Sequence, residues 1–599
     1  MTKDDWHSTA ARRRDEIYSH IPREWLVDEF LLEESKKRPI DLPEKCGLLT
    51  PRELRITGLS AVELLRRIHD GIYTAVEVTR AFCKRAAIAH QATNCLAWVM
   101  FESALAQAAA LDEYLFSYGK PIGPLHGLPI SVKEHIYLAG TPATSGLIAW
   151  ADEMSQEDAL IVKLFREAGA VFHVKTTNPQ TLMSLETQSN LYGRTLNPHN
   201  TDLSPGGSSG GEGALIAMRG SLLGIGTDIG GSIRVPSGFS GIYGLKPSVA
   251  RLPHSGLSGL HAGMENIIGC VGPMATSIDD LKLFCRVALA YNPWDHEPTL
   301  VELPWKEDRE IQSLLPDDKL RIGVIWHDGV VHPHPPITRA LRDTVTALRR
   351  AGHTVIDWDT TLHASLIDTV NKAYFLDGGR EYRSMLLKGH NEPAVPLLDW
   401  TLTHIGSKPH TIEESWTVNL ARDKLRTLYA KQLREAEIDV LLSPVHPAAA
   451  SAHNESRYWG YCSVFNALDF SAAVFPAGTV QETDTWDRYP RPTPEPFSEM
   501  DKWYESLYVD GEAGPEKYAH APIPLQLVGR RFQEEKLLNI MDKVVEILRA
   551  AEDYVGIDDG IDGASRIGGD GDEEELDSVI HGGDGDDDDN ESMLSKRFL

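Results

Sequence analysis

The run Pro205–Pro247, PGGSSGGEGALIAMRGSLLGIGTDIGGSIRVPSGFSGIYGLKP, places three serines in glycine-lined turns. These serines are Ser208, Ser209 and Ser232, and a short apolar stretch with the composition of a helix joins the turns. Glycine on both sides lets the backbone approach a substrate closely and adopt positive φ without a clash at Cβ. A serine in such a turn can act as a nucleophile, and the adjacent N–H groups can bind an oxyanion. The run therefore predicts acyl-transfer chemistry.

Other interpretations of the glycines and of the cysteines are weaker. A linker has no reason to contain apolar stretches such as Ala214–Met218. A dinucleotide-binding loop is excluded because no G-x-G-x-x-G opens a helix directly after a strand. The six cysteines form no C-x-x-C pair, and neither H-E-x-x-H nor a P-loop occurs. We therefore expect no metal and no other cofactor.

A second segment of interest, Gly127–Lys133 with the sequence GLPISVK, is typical of a turn followed by a short strand. The apolar neighbours of Lys133 suggest a buried place for it, but most lysines lie on the surface, and the segment alone favours a surface position. A charged lysine cannot accept a proton from serine. A desolvated lysine can be neutral near pH 7 and can serve as the base.

Together these segments closely resemble the amidase signature family, over about residues 60 to 550. The matching segments are, in order, Gly127–Lys133, Gly206–Gly211, Gly226–Arg234 and Gly241–Pro247. The resemblance implies that Lys133 is the base, that Ser208 is a bridging serine in a cis peptide, and that Ser232 is the attacking serine. The chain departs from the family in one place, because Glu134 and His135 follow the lysine where aspartate is usual. The family needs no histidine, so His135 is interpreted as a supporting or structural residue.

The same resemblance assigns supporting roles around Ser232. The backbone N–H groups expected to form the oxyanion hole belong to Ile229, Gly230, Gly231 and Ser232. Gly207 is expected to relieve crowding beside Ser208, and the pair Asp228 and Arg234 to brace the loop; the alternative for this pair is an ordinary surface ion pair. Leu182 occupies a position that the family places near the bound acyl group, with plain core as the alternative.

Helical patterns alternate with short apolar or β-branched runs, which indicates an α/β arrangement. The runs predicted as strands include Ala170–Val174, Leu320–Ile325, Thr354–Asp357, Val440–Val445 and Ala472–Gly478. We predict a single large α/β domain with a mixed, twisted β-sheet core covered by helices on both faces. It spans residues 61–555, with a catalytic core at about 120–250 and a variable substrate-pocket region at about 300–430. Residues 1–60 are predicted to form a helical N-terminal appendage.

Much of the formal net charge of −28 lies in the last segment of the chain, 556–599, which contains the run Asp586–Asp589. Such a block repels itself and predicts a disordered acidic tail. The sequence contains no stripe of basic residues of the kind that would indicate nucleic-acid binding. No apolar run reaches the ~20 residues that span a membrane, and the N-terminus lacks the apolar core of a signal peptide. We expect a cytoplasmic protein that acts on a small-molecule amide; a homodimer is left open.

Segments such as Asn190–Asn200 and Phe465–Asp469 resemble the fungal acetamidase or general amidase branch. The predicted activity is hydrolysis of an acetamide-like or other small monocarboxylic amide to carboxylate and ammonia. One alternative is a hydrolase of longer N-acyl amides that resembles fatty acid amide hydrolase, and another is a tRNA-dependent amidotransferase subunit. An alternative of a different class is a non-catalytic interaction protein that uses its acidic tail.

Overall fold

A computed structural model describes residues 5–307, 319–493, 495–509 and 514–551. The predicted acidic tail, 556–599, lies outside these residues. The helices are, in chain order, α1 Trp6–Ser19, α2 Glu29–Glu34, α3 Leu42–Lys45, α4 Pro51–Gly58, α5 Ala61–His69, α6 Ala75–Thr93, α7 Phe101–Tyr118, α8 Leu160–Glu167, α9 Gly210–Ala217, α10 Arg234–Phe239, α11 Ile278–Ala290, α12 Pro335–Arg350, α13 His363–Tyr374, α14 Arg380–Lys388, α15 Pro396–His404, α16 Ile412–Glu435, α17 Gly460–Ala467, α18 Glu499–Ser506 and α19 Glu534–Ala550.

The strands form one large mixed sheet and one small hairpin. They are β1 Leu96–Val99, β2 Pro129–Lys133, β3 Val171–Thr176, β4 Gln188–Ser189, β5 Gly193–Arg194, β6 Leu223–Asp228, β7 Tyr243–Lys246, β8 Cys270–Ala275, β9 Arg321–Val324, β10 Thr354–Asp357, β11 Val440–Pro444, β12 Ala472–Thr479 and β13 Pro522–Val528. The 11-stranded sheet has the order β1-β3-β2-β6-β8-β7-β12-β13-β11-β9-β10, and β4 pairs with β5. Strands β2, β3 and β6 run parallel, whereas β8 is antiparallel to both β6 and β7.

The middle of the sheet is buried on both faces. Every residue of β2, β3 and β6 is buried, as expected for parallel strands covered by helices on either side. Pro129 begins β2, a position where proline is tolerated because it need not donate to the ladder. In the parallel register of β2 with β6, Val132 pairs with Ile225. The carboxyl ends of the two strands, Lys133 and Asp228, therefore lie at the same edge of the sheet.

One main hydrophobic core connects most of the chain, since its buried members run from Ile56 to Leu548. A mixed sheet flanked by helices around one core confirms the predicted α/β fold. The five predicted strands are also confirmed, each within two residues of the observed ends.

The N-terminal helices are packed against the sheet. Ala10, Ile17 and Leu42 share a buried cluster with Val174 of β3 and Ala214 of α9. Helices α1 to α4 lie in this segment, which contributes apolar residues to this edge of the structure. The assignment of residues 1–60 to a separate appendage stays a prediction, and so do the other domain boundaries.

Candidate active site

The lysine and the first serine of the predicted site are in contact. Lys133 is the last residue of β2, and Ser208 lies just before α9. The Lys133 Nζ to Ser208 Oγ distance is 2.7 Å, and Nζ also donates to Thr227 Oγ1 at 2.9 Å. The Gly207–Ser208 peptide bond is cis, as the resemblance implied. The fold therefore joins residues 75 positions apart in the sequence.

Glycine at position 207 is required by a close approach of the backbone. A Cβ at Gly207 would lie 2.6 Å from the carbonyl oxygen of Glu186, a contact with main chain that has little freedom to move. The turn is also tied to the second serine turn, because the Ser209 N–H donates to the Ser232 carbonyl at 3.1 Å. The two glycine-lined turns therefore pack directly against each other.

The loop that carries Ser232 is held by a fully buried ion pair between Asp228 and Arg234. Arg234 Nη2 donates to Asp228 Oδ1 at 3.0 Å, and Arg234 Nε donates to Asp228 Oδ2 at 3.1 Å. Both side chains are 0% exposed. Burial opposes ionisation of the Asp228 carboxyl, but the charge and hydrogen bonds of Arg234 outweigh it and hold its pKa well below the usual range. The surface-pair alternative is wrong for these two residues.

The Asp228 carboxylate also binds one of the four N–H groups expected to form the oxyanion hole. The Gly231 N–H donates to Asp228 Oδ1 at 2.9 Å, so it is used inside the loop and does not face a substrate. The N–H groups of Ile229, Gly230 and Ser232 donate to no other group in the part of the chain that the structure describes. Three of the four predicted donors thus stay available.

Aromatic side chains pack against this loop. The Tyr374 hydroxyl donates to the Ile229 carbonyl at 2.7 Å, and the Tyr374 and Trp459 rings are 5.5 Å apart. A Cβ at Gly230 would lie 2.8 Å from Tyr374 Oη and 3.0 Å from the Trp459 ring. Glycine at position 230 therefore lets the aromatic wall come within contact distance of the loop.

Ser232 lies in this loop with 5% of its surface exposed. Among the described residues its hydroxyl has no hydrogen-bond partner, so the structure connects Lys133 to Ser208 but does not connect Ser208 to Ser232 by a hydrogen bond. A serine hydroxyl changes direction by rotation about one Cα–Cβ bond. Catalytic hydrogen bonds commonly form only when substrate is bound.

Burial sets the protonation of Lys133. Its side chain is 0% exposed, and desolvation lowers its pKa from 10.5 to about 7, although the nearby carboxylates of Asp228, Glu212 and Glu134 oppose this change. A large fraction of the lysine is therefore neutral at neutral pH. A neutral amine has a lone pair that can accept the proton of a serine hydroxyl.

One residue in contact with this lysine is not among the residues predicted for the site. This residue, Thr227, lies inside the glycine-rich run, and it also contacts His135, which is expected to be a supporting or structural residue. Thr227 Oγ1 lies 2.9 Å from Lys133 Nζ and 2.9 Å from His135 Nε2. The position of Thr227 directly before Asp228, on the strand paired with the lysine strand, was the available signal.

Glu134, the departure from the family, is a satisfied buried carboxylate. It accepts hydrogen bonds from the Thr144 N–H at 2.5 Å, the Ser145 N–H at 3.0 Å and the Tyr192 hydroxyl at 3.0 Å. These contacts anchor the loop after β2. They also hold the Glu134 carboxylate near Lys133, beside those of Asp228 and Glu212.

Leu182 lies in a tight turn with a left-handed backbone, φ +68°. It is partly exposed, whereas Met183 and Leu185, which follow it, belong to the main core. Leu182 is not one of the apolar side chains that pack against that core in the described residues. Its contact with substrate stays a prediction.

The fold and this site define the class of protein: an α/β protein in which a buried lysine contacts a serine of a cis peptide, beside a second serine in a glycine-lined loop. A family model for amidases matches residues 77–538. The chain therefore belongs to the amidase signature family, and it is an amidase.

Similar proteins agree with this assignment. An acetamidase from Aspergillus oryzae is 42% identical over 557 residues, covering 92% of this chain and 100% of that protein. An acetamidase from Emericella nidulans is 41% identical over 552 residues, covering 91% and 98% of the two chains. Among solved structures, a fatty acid amide hydrolase superposes with a TM-score of 0.85 at 34% identity, covering 91% of this chain and 95% of that chain.

The described residues lack two other kinds of site. No helix among these residues is both long and apolar enough to cross a membrane. Within the same ranges, no group of three or more His, Cys, Asp or Glu side chains is arranged to hold a metal ion.

Proposed function

We propose that this amidase hydrolyses the amide of a small monocarboxylic acid to the carboxylate and ammonia, with Lys133, Ser208 and Ser232 as its catalytic residues. The observation that carries the proposal is the 2.7 Å contact between the buried Lys133 Nζ and Ser208 Oγ. The acetamidases at 41–42% identity over more than 90% of the chain support a small acyl group.

In the proposed first half-reaction, neutral Lys133 takes the proton of Ser208 while Ser208 takes the proton of Ser232. This step requires the Ser232 hydroxyl to rotate to within hydrogen-bonding distance of Ser208. The Ser232 oxygen then bonds to the amide carbon, and the N–H groups of Ile229, Gly230 and Ser232 bind the oxyanion. The proton returns from Lys133 through Ser208 to the amide nitrogen, the C–N bond breaks and ammonia leaves.

In the second half-reaction, water loses a proton along the same path and attacks the acyl carbon of the Ser232 ester. The bond between the acyl carbon and Ser232 Oγ breaks, and the proton returns to Ser232. The free acid leaves, and every group regains its starting protonation state. We place Asp228, Arg234 and Gly207 as supports of the two turns, and Leu182 beside the acyl group.

Ammonia release from acetamide, hexanamide, benzamide and indole-3-acetamide, with a long-chain N-acyl amide in parallel, tests the substrate class. We expect kcat/KM for acetamide to exceed that for the long-chain amide by about tenfold or more, a difference of the size that acyl-pocket contacts provide. The opposite order would instead support the second candidate, a hydrolase of longer N-acyl amides, which the 0.85 TM-score with fatty acid amide hydrolase favours.

The pH dependence of kcat/KM tests the protonation of the base. Because only neutral Lys133 accepts a proton, activity is expected to rise with pH and to reach half its plateau near pH 7, where burial places the lysine pKa. The rise reflects loss of a proton from Lys133, so activity falls on the acid side. A plateau that begins only near pH 10 would show that the lysine is not desolvated in the working enzyme.

A further inference from the structure

A chain of buried hydrogen bonds leads from Lys133 away from the serines. Thr227 Oγ1 lies 2.9 Å from Lys133 Nζ, and His135 Nε2 lies 2.9 Å from Thr227 Oγ1. His135 Nδ1 lies 2.8 Å from the Ser258 carbonyl oxygen. The side chains of Lys133, Thr227 and His135 are all buried. None of the proposed proton transfers uses this chain of contacts.

The direction of each hydrogen bond follows from the Ser258 carbonyl, at the far end of this chain of contacts. The Ser258 carbonyl can only accept, so His135 Nδ1 must carry the ring proton. In a neutral imidazole Nε2 is then an acceptor, and it must receive the single hydroxyl proton of Thr227. With its proton committed to His135, Thr227 Oγ1 can only accept from Lys133 Nζ.

This order controls the lone pair of the base. A neutral lysine amine has two protons and one lone pair. If one proton is donated to Thr227, the lone pair is free to face Ser208 on the other side of Nζ, at 2.7 Å. Without an acceptor at His135, the Thr227 hydroxyl could turn and donate into that lone pair, which would compete with Ser208.

We propose that His135 is a positioning residue, which acts through Thr227 to keep the lone pair of Lys133 directed at Ser208. The proposal rests on the proposed function, because it assigns Lys133 as the base. It gives a task to the histidine that follows Glu134 in this chain, and it names Thr227 as the connecting group.

The electrostatic surroundings keep the imidazole neutral, as this arrangement requires. Burial, and after it the charge of Lys133, lower the pKa of His135 well below its ordinary value. The titratable groups that act on Lys133 and His135 are Glu134, Lys175, Glu212, Asp228 and His254. The three carboxylates favour the charged form of Lys133, and desolvation outweighs them.

His135→Asn separates positioning from packing. The asparagine amide nitrogen can replace Nδ1 as the donor to the Ser258 carbonyl. Its oxygen then takes the position of ring carbon Cδ2, farther from Thr227 than Nε2, so Thr227 loses the acceptor at 2.9 Å. We expect kcat to fall about 10- to 100-fold, with KM within about twofold, as for loss of general-base efficiency. The acid limb, the pH range over which kcat/KM rises, is expected to move to lower pH. The reason is that a hydroxyl that donates to the amine of Lys133 stabilises the neutral form of the amine.

A structural role for His135 predicts the opposite shift. If the substitution merely loosened the site and admitted water, the lysine pKa would rise toward 10.5, and the acid limb would move to higher pH. That result would overturn the proposal. The matched control is His173→Gln, a buried histidine whose ring nitrogens face the carbonyls of Ile130 and Gly220; its acid limb is expected to stay in place.

A double-mutant cycle with Thr227→Val tests the connection itself. Since His135 is proposed to act only through the Thr227 hydroxyl, His135→Asn should change kcat by less than about twofold in the Thr227→Val background. Independent effects that multiply would overturn the proposal. If His135→Asn does not fold, the comparison of Thr227→Ser with Thr227→Val tests the proposal. The serine variant should retain kcat, whereas the valine variant should lose it. Equal kcat values for the two variants would overturn the proposal.

Failure of the positioning role is distinguishable from failure of the proposed function. Ser232→Ala measured beside these variants reports on the nucleophile alone. If Ser232→Ala is inactive and the cycle is additive, only the role of His135 is wrong. If Ser232→Ala keeps its activity, the proposed catalytic residues themselves are wrong.

Discussion

Ser232→Ala is expected to lower kcat for amide hydrolysis by about 10,000-fold or more, because no other group replaces the attacking oxygen. The side chain makes no hydrogen bond within the described residues, so its loss should leave the thermal unfolding temperature and the affinity for substrate nearly unchanged. Ammonia release under saturating acetamide, together with a thermal melt, measures both quantities.

The matched control for Ser232 is Ser209→Ala. Ser209 lies in the neighbouring turn, and its hydroxyl makes two long hydrogen bonds: it donates to the Thr227 carbonyl at 3.4 Å and accepts from the Thr227 N–H at 3.5 Å. Loss of two weak hydrogen bonds should lower kcat by no more than about tenfold. A Ser232→Ala protein with wild-type turnover, or a Ser209→Ala protein as inactive as Ser232→Ala, would contradict the assignment of the nucleophile.

Asp228→Ala is expected to have the largest effect on stability. The substitution leaves the fully buried guanidinium of Arg234 without its carboxylate and frees the Gly231 N–H that the carboxylate holds. Breaking a buried pair in this way costs about 3–5 kcal/mol of the free energy of unfolding. Because the loop also carries Ser232 and the proposed oxyanion donors, activity should fall by about 100-fold or more. Urea denaturation and ammonia release measure the two effects.

Two controls accompany this substitution. Asp368→Ala removes the exposed carboxylate that lies 2.6 Å from Lys372 Nζ within the same helix. It should change the free energy of unfolding little, because exposed ion pairs contribute little to stability. Asp228→Leu combined with Arg234→Met removes both charges and should recover part of the stability but none of the activity. Equal losses for Asp228→Ala and Asp368→Ala would show that the buried pair does not hold the loop.

The neutral state of Lys133 has a cost in stability. Its folded pKa of about 7 lies below the unfolded value of 10.5, so between these pH values the unfolded chain binds more protons than the folded one. The free energy of unfolding contributed by this group therefore rises with pH across that window. At neutral pH the proposed base is therefore kept neutral at the expense of stability.

Much of the fold and part of the site could be predicted from local sequence. Runs such as Thr354–Asp357 and Val440–Pro444 are short and apolar or β-branched, and they form strands. The glycines around Ser208 and Ser232 indicate tight turns, and Gly207 is one that allows no Cβ. The place of Lys133 depended on the family resemblance, because a lysine at the end of an apolar segment is ambiguous by itself.

The rest depended on contacts between distant segments, which leave no local pattern. The antiparallel pairing of β8 with β6 and β7 is not encoded in the composition of any one strand. The same is true of the Tyr374 hydroxyl on the Ile229 carbonyl, 145 residues away. The Gly231 N–H was misassigned because the direction of a backbone N–H depends on the folded loop and on the carboxylate of Asp228.

The most direct test of the central claim is to locate the nucleophile chemically. An alkyl fluorophosphonate transfers its phosphonyl group to an activated serine and remains attached, so the modified residue can be identified by peptide mass spectrometry. We predict one phosphonyl group per chain, on Ser232, with labelling proportional to the loss of amide hydrolysis. Complete inactivation with the label on another residue, or an active enzyme in which Ser232 is fully labelled, would contradict the account.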